Sequence, residues 1–369
     1  MNNNSIMQGE GKLKIKRKRS DIKFQKTKRR ILKHTWAIRV VLLIVIVGLI
    51  SIVIYFASFL LGKYASTSSL GFLNDFVFAS KEELVEIDGR SNFLILGKGG
   101  MGHEAPDLTD TMIFMSMNHK DQAVNIVSIP RDLWIDDLQA KINSAYYWGN
   151  QKQSGGGIVL AKSVAEEVIG EPVQYALVFD FDTFQRIIDN LGGLEVDVKN
   201  SFTDEKYPIQ GKEDDLCNGD LKYLCRYVTV SFEKGVVLMD GEEALKYTRS
   251  RNAEGDEGTD KARSERQQQI VTSIFKQIAS PSIFLSPSTI NKLYMVLDEE
   301  IETDLDNHQL AVFARLLFNY KKNINSYSIP EDLLIVPKNT EQYDNLYVFI
   351  PKENNWNEIQ LWFDDTLAI

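Results

Sequence analysis

Uncharged, mostly apolar residues fill positions 40–62, VVLLIVIVGLISIVIYFASFLLG, between Arg39 and Lys63. As a helix rising ~1.5 Å per residue, this run spans ~34 Å, against a bilayer hydrocarbon core of ~30 Å. A core helix of that length would keep a polar face. A cleaved signal peptide would be shorter and would end in a small-x-small site. The pattern predicts a retained transmembrane helix over 40–62.

Beyond a spacer at 63–90, with a short helix near 80–86, the pattern changes to brief apolar runs. FLILG (93–97), TMIFMSM (111–117) and AVNIVSI (123–129) read as strands. SGGG at 154–157 opens a helix that continues through IVLAKSVAEEVIG. YALVFD (175–180) reads as a strand, FDTFQRIIDNLGG as a helix ending at Gly192 or Gly193, and LEVDV as a strand. Residues 201–235 are polar and irregular, a loop or hairpin insertion. DGEEALKY (240–247) starts a helix on an Asp cap, and KARSERQQQIVTSIFKQI (261–278) is a second helix. PSIFLSPS (281–288) reads as a turn region, and 289–369 alternates weakly between helix and strand. This alternation predicts an α/β fold, a central β-sheet flanked by helices, preceded by one transmembrane helix. The expected organisation is a basic tail at 1–39, the span at 40–62, the spacer, a main folded domain at 91–280, and a C-terminal extension at 281–369 that packs on or continues it.

Charge separates along the chain. Residues 1–40 hold 13 Lys/Arg and 2 Asp/Glu, a net of +11, while the whole chain is at −9, so the rest carries −20. A basic tail before an apolar span predicts a cytoplasmic N-terminus with the body outside, and the tail is placed to lie near anionic lipid headgroups. An acidic body is not the footprint of a nucleic-acid binder, and no helix-turn-helix pattern adjoins the tail. No nucleic-acid partner is expected. The two cysteines, Cys217 and Cys225, fall in the outside part, where a disulfide can persist. They either pair around NGDLKYL or remain separate thiols.

Candidate chemistry concentrates in the arginines. From residue 41 onward there are nine, and four of them, Arg249, Arg251, Arg263 and Arg266, fall between 249 and 266. Arginine offers a planar fork of donors suited to phosphate. Intervening Glu254, Asp256, Glu257 and Glu265 leave a surface ion-pair network as the plainer alternative. Helix phase favours a pocket. At ~100° per residue, Asp260, Arg263 and Gln267 share a face that continues as Ile270, Val271, Ile274, Phe275 and Ile278. A face that is ionic over its first turns and apolar afterwards predicts an anion site at the helix N-terminus. Phase puts Arg266 off this face, as a surface residue. Asp110, just before a strand, could share a divalent cation with Asp260. Arg131 follows a strand, where sites in open α/β sheets form.

Gly97-Lys98-Gly99-Gly100-Met101-Gly102 fits G-x-G-x-x-G, but a dinucleotide site needs a helix to open there. The following HEAPDLTD reads as a loop near a site instead.

The order LTDT, SIPRDLW, KINSAY, FD-F-I-DNLGG-EVDV, MDGEEALKYTRSR and D-x-x-R-x-x-RQQQ resembles the LytR-CpsA-Psr family over about residues 91–280. The N-terminal anchor also fits that family. The resemblance implies a fold with a lipid channel and a membrane-anchored phosphotransferase. Such an enzyme moves a glycopolymer from a polyprenyl-pyrophosphate carrier onto a sugar hydroxyl of peptidoglycan. It implies Mg²⁺ held by Asp110 and Asp260, a pyrophosphate clamp of Arg131, Arg249, Arg251 and Arg263, and support from Gln267. Asp260 is also a candidate proton acceptor. Leu108 stands where the family often has arginine, and Lys98 is the candidate replacement. NAEGDEGT at 252–259 is long and acidic for the family. The alternatives are a hydrolase of polyprenyl pyrophosphates and a non-catalytic lipid-linked glycan binder or scaffold.

Overall fold

The computed structural model describes residues 39–52, 69–103, 105–212, 214–284 and 286–368. The chain divides into two units, Met1–Thr67 and Ser68–Ile369. In the first unit the described residues form one apolar, solvent-exposed helix, α1 (39–52). The basic tail to residue 38 and the second half of the expected span, from residue 53, lie outside the described residues. No helix among the described residues is long and apolar enough to cross a membrane.

The second unit begins with α2 (Ser69–Phe78). A meander follows, β1 (Arg90–Lys98), β2 (Thr109–Asn118) and β3 (Ala123–Ser128), each antiparallel to the last. A ribbon of β4 (Trp134–Ile135) and β5 (Ala140–Lys141) leads into α3 (Ala145–Lys152) and α4 (Gly156–Ile169). Then β6 (Tyr175–Asp180) enters beside β1 and parallel to it. Helix α5 (Phe181–Asn190), β7 (Leu194–Val198), the hairpin β8 (Phe202–Pro208) and β9 (Tyr227–Phe232), β10 (Gly235–Met239), α6 (Gly241–Arg249) and α7 (Asp260–Ile278) follow. The chain finishes through α8 (Pro281–Phe284), α9 (Pro287–Glu300), β11 (Glu302–Thr303), α10 (Asn307–Tyr320), β12 (Ile324–Ser328), the ribbon β13 (Leu334–Ile335) and β14 (Ile350–Pro351), and α11 (Asn357–Ala368).

The central sheet is mixed, in the order β11-β6-β1-β2-β3-β12. Strands β6 and β1 are parallel, as are β3 and β12, so the carboxyl ends of all four share one edge. The N-terminal end of β2 lies at that same edge, opposite Lys98. Side chains alternate across each strand. Leu94, Leu96, Met112 and Phe114 enter one core with α4 and α11. Phe93, Ile95, Ile113 and Met115 enter another with α7 and α10. Burial of both faces explains why these strands read as unbroken apolar runs.

One stretch differs from the sequence expectation. Residues 281–288, read as turns, contain α8 and the start of α9. Pro287 sits in the first turn of α9, where its missing N–H removes no helical bond, and the Ser286 side chain accepts from the Thr289 N–H. The weakly patterned 289–369 supplies β12, which pairs along its full length with β3. Residues 201–235 form a hairpin, and Cys217 and Cys225 are joined as a disulfide.

Tyr247 of α6 packs in a third core with Phe202, Val196 and Met239, 2% exposed. Burial raises its pKa, Arg266 opposes, and Glu257 and Asp197 add to the rise, to about 12. An exposed tyrosine ionises near ~10. The stability this group supplies is therefore complete below pH ~10 and lost as pH climbs towards 12, on the order of 2 kcal/mol. Unfolding free energy measured between pH 9 and 11.5 should fall with pH, and Tyr247→Phe should make that fall shallower. An unchanged slope would remove Tyr247 from the account.

Candidate active site

The carboxyl edge of the sheet is where strand ends and helix starts meet. Arg131 lies three residues beyond β3, and Asp110 is the second residue of β2. Helix α7 begins at Asp260, after Thr259, whose hydroxyl accepts from the Ala262 N–H. Its first turns are pinned over the sheet edge. Ser264 hydrogen bonds Ser128 at 2.8 Å, and Gln268 donates to the Tyr327 carbonyl at 2.7 Å. The result is a cleft of about 780 Å³ lined by Asp110, Arg131, Asp260, Arg263 and Gln267. These are the residues that helix phase and strand-end placement select from the sequence.

The electrostatics within the cleft are tightly shared. Arg131 donates to Asp110 Oδ1 at 2.5 Å, and Arg263 Nη2 lies 3.2 Å from Asp260 Oδ1. Asp132 is held by Lys141 at 2.6 Å, with Arg131 Nε at 3.4 Å. Burial would lower the pKa of Arg131, but Asp110, Asp132 and Asp260 together hold it above the usual value. For Arg263 burial wins. It is lowered by burial and by Arg131 and Arg251, against Asp260 and Asp110. Arginine does not lose its proton in proteins. The lowering instead means that Arg263 carries a positive charge its surroundings do not fully balance. The cleft lining carries Arg131, Lys261 and Arg263 with Asp110, Asp132, Asp260 and Glu331, so its cations are largely paired, and Arg263, buried and incompletely balanced, is the point in it that favours an anion.

The remaining sequence candidates lie beside this cluster. Arg251 is exposed but close enough to bear on Arg263. Arg249 is half-buried, its guanidinium 4.4 Å from the Phe181 ring centroid and 5.8 Å from that of Tyr207. Lys98 is bound to Asp107 at 2.9 Å and sits 5.0 Å over the Tyr146 ring. Its charge is matched locally, and it does not line the cleft. The glycine-rich loop opens no helix. Its described residues make turns and lead into β2. At Gly100, with φ +78°, an added Cβ would lie 2.8 Å from Asp180, which requires glycine there.

Arg266 corrects the phase argument. It is 3% exposed, not a surface residue. Its guanidinium donates to the carbonyls of Tyr247, Ser250 and Glu257 and to Glu257 Oε2. The Arg-Gln-Gln-Gln run contained this signal, but helix phase alone treats every residue off the cleft face as solvent-facing.

A second cavity was not visible in the sequence. It is apolar, about 150 Å³, and walled by Phe72 and Phe76 of α2, Leu177 and Phe179 of β6, and Val271, Ile274, Phe275 and Ile278 of α7. Helix α7 thus turns its first residues to the ionic cleft and its later ones to an apolar space.

The donor set suits a hard cation. Asp110 and Asp260 each commit Oδ1 to an arginine and are about half exposed, which leaves Oδ2 of each for a metal that prefers oxygen. Among the described residues the one cluster of metal-ligand type is Asp215 with Cys217 and Cys225, and those thiols are spent in the disulfide.

The model of the LytR_cpsA_psr family matches residues 71–362. The polyisoprenyl-teichoic acid–peptidoglycan teichoic acid transferase TagV of Bacillus subtilis is 27% identical over 260 residues, which cover 68% of this chain and 58% of that protein. The crystal structure of B. subtilis TagV superposes with a TM-score of 0.54 at 24% identity, over 77% of this chain and 99% of that one. A structure of TagT bound to LIIa-WTA superposes with a TM-score of 0.52 at 21% identity, over 78% and 96%. Both structures share the fold, a central mixed sheet flanked by helices.

Proposed function

The chain belongs to the LytR_cpsA_psr family, and from that premise we propose that it is a phosphotransferase anchored in the bacterial cytoplasmic membrane, its catalytic domain outside. It moves a glycopolymer from a polyprenyl-pyrophosphate carrier onto a sugar hydroxyl of peptidoglycan. The observation that carries the reading is the course of α7. One helix supplies cations to an ionic cleft and then walls an apolar cavity. A diphosphate joined to a polyprenyl chain has those two halves. The relatives named above as teichoic acid transferases support the reading. The apolar run at 40–62 and the basic tail before it support the anchor and its orientation.

In this reading Arg131 and Arg263 hold the diphosphate in the cleft, with Arg251 and Arg249 at its margin. The acceptor hydroxyl attacks the phosphorus that carries the glycan. A new P–O bond forms to the acceptor, the P–O bond to polyprenyl phosphate breaks, and the hydroxyl proton leaves. Asp260, half exposed beside Arg263, is the candidate acceptor for it. The side chains accelerate the step by holding the reactants in line and balancing charge that grows on the leaving phosphate. Mg²⁺ held by Asp110 and Asp260 would neutralise part of that charge.

The test uses the full chain in detergent with a polyprenyl-pyrophosphate-linked sugar, Mg²⁺ and peptidoglycan fragments. A glycan–peptidoglycan adduct is expected, and chelating the metal should reduce its rate at least about a hundredfold. Phosphate release without adduct would instead identify a hydrolase, and binding without turnover a lipid-linked glycan binder.

A further inference from the structure

The peptide unit between Ser250 and Arg251 is gripped at both ends by buried, oppositely charged side chains. Its carbonyl accepts from Arg266 Nη2 at 2.5 Å, and its N–H donates to Asp204 Oδ2 at 3.1 Å. Asp204 is 0% exposed and Arg266 3%. The same Asp204 oxygen accepts from the Asn252 N–H at 3.2 Å, and its other oxygen accepts from the Lys206 N–H at 2.9 Å. Asn252 returns a bond to the Lys206 carbonyl at 3.0 Å. Arg266 is itself fixed between the Phe202 and Tyr247 rings and by Glu257.

Strand β8 makes this possible through an irregularity. Strict alternation would turn Asp204 and Lys206 inward together. The register shifts between Asp204 and Tyr207, so Asp204 and Tyr207 point inward and Glu205 and Lys206 outward. One strand thereby sets Asp204 on the Arg251 N–H and Tyr207 beside the Arg249 guanidinium. A peptide held at its C=O and its N–H cannot rotate, and the backbone from which the Arg251 side chain departs is thereby fixed. Buried charges need compensating partners, and here Arg266 is paired with Glu257 while Asp204 accepts from three backbone N–H groups.

We propose that Asp204 and Arg266 are positioning residues for the Arg251 guanidinium group, acting through the Ser250–Arg251 peptide, and that the hairpin carrying Asp204 is part of the phosphate-binding apparatus. This rests on the anion-binding reading of the cleft. Neither side chain touches the substrate. Their effect reaches it through Arg251.

The experiment is a binding cycle with inorganic pyrophosphate, by calorimetry, on the full chain in detergent, with thermal melting run alongside. Asp204→Asn keeps the shape but removes the charge and turns a donor toward one of the N–H groups. It should weaken pyrophosphate binding about tenfold. In the Arg251→Ala background the same change should weaken it less than twofold, because the residue being aimed is gone. A structural role predicts equal losses in both backgrounds, and that result overturns the proposal. So does a folded Asp204→Asn that binds within twofold of the unmodified chain. If Asp204→Asn does not fold, Arg266→Lys runs the same cycle with charge kept and the fork lost. Failure of both variants to fold makes the pair folding determinants and also overturns the proposal. If the unmodified chain binds no pyrophosphate, the cleft reading falls and takes this one with it. Normal binding with no effect of the variants overturns the positioning role alone.

Discussion

Arg263→Ala is expected to cut glycopolymer transfer by about a hundredfold to a thousandfold, the loss of ~2.7–4 kcal/mol seen when one preorganised charge-stabilising donor is removed. Arg263 is the most enclosed cation of the cleft, its side chain 12% exposed. Burial first, with Arg131 and Arg251, weighs against its charge, and Asp260 and Asp110 do not fully offset them. A diphosphate would relieve that imbalance, and more so as charge moves to the leaving phosphate. The change should therefore fall mainly on kcat. Arg263→Lys keeps the charge but not the planar fork, and should recover part of the loss. Initial rates with the polyprenyl-pyrophosphate donor would check this, with melting curves to show that the variant is folded. Transfer by Arg263→Ala within threefold of the unmodified chain would remove the arginine from the mechanism.

The site was legible where a side chain's direction follows from local geometry. Helix phase brought Asp260, Arg263 and Gln267 to one face, and the cleft takes all three. Strand ends gave Arg131 and Asp110. What stayed hidden depends on contacts between distant segments. The apolar cavity is walled by Phe72, Leu177 and Ile274, which in sequence look like any other core positions. β12 carries only a weak pattern, Ile324 to Ser328, because it is an edge strand and part of its side-chain set is exposed. Lys98 looked like a substitute for a missing cation at Leu108, but Asp107, nine residues on, claims it. No spacing rule announces that pairing. Asp204 gave no signal at all, because an acidic residue in a polar hairpin is ordinary until the register shift in β8 turns it inward.

Arg266 is where phase reasoning failed, and it carries the largest expected effect on stability. A surface arginine could be truncated with a change of a few tenths of a kcal/mol. This one is 3% exposed and donates to three backbone carbonyls and one carboxylate, from α6, from the segment after it and from Glu257. Arg266→Ala strips all four acceptors of their donor at once. It also leaves Glu257, 19% exposed, without its counter-charge, and opens a space between the Phe202 and Tyr247 rings. Breaking a buried pair from one side costs about 3–5 kcal/mol. For a folded unit of this size that corresponds to a fall in Tm of roughly 5–8 °C. The loss should also be local in its first effects. Hydrogen exchange at residues 250–258, tied to α7 largely through this guanidinium, should accelerate before exchange in β1 or β2, whose amides are buried in the sheet. Thermal melting together with exchange on the full chain reads both quantities. A Tm lowered by less than 2 °C would return Arg266 to the surface role that phase assigned it. A uniform loss of protection across the sheet would mean that the residue holds the whole fold rather than this segment.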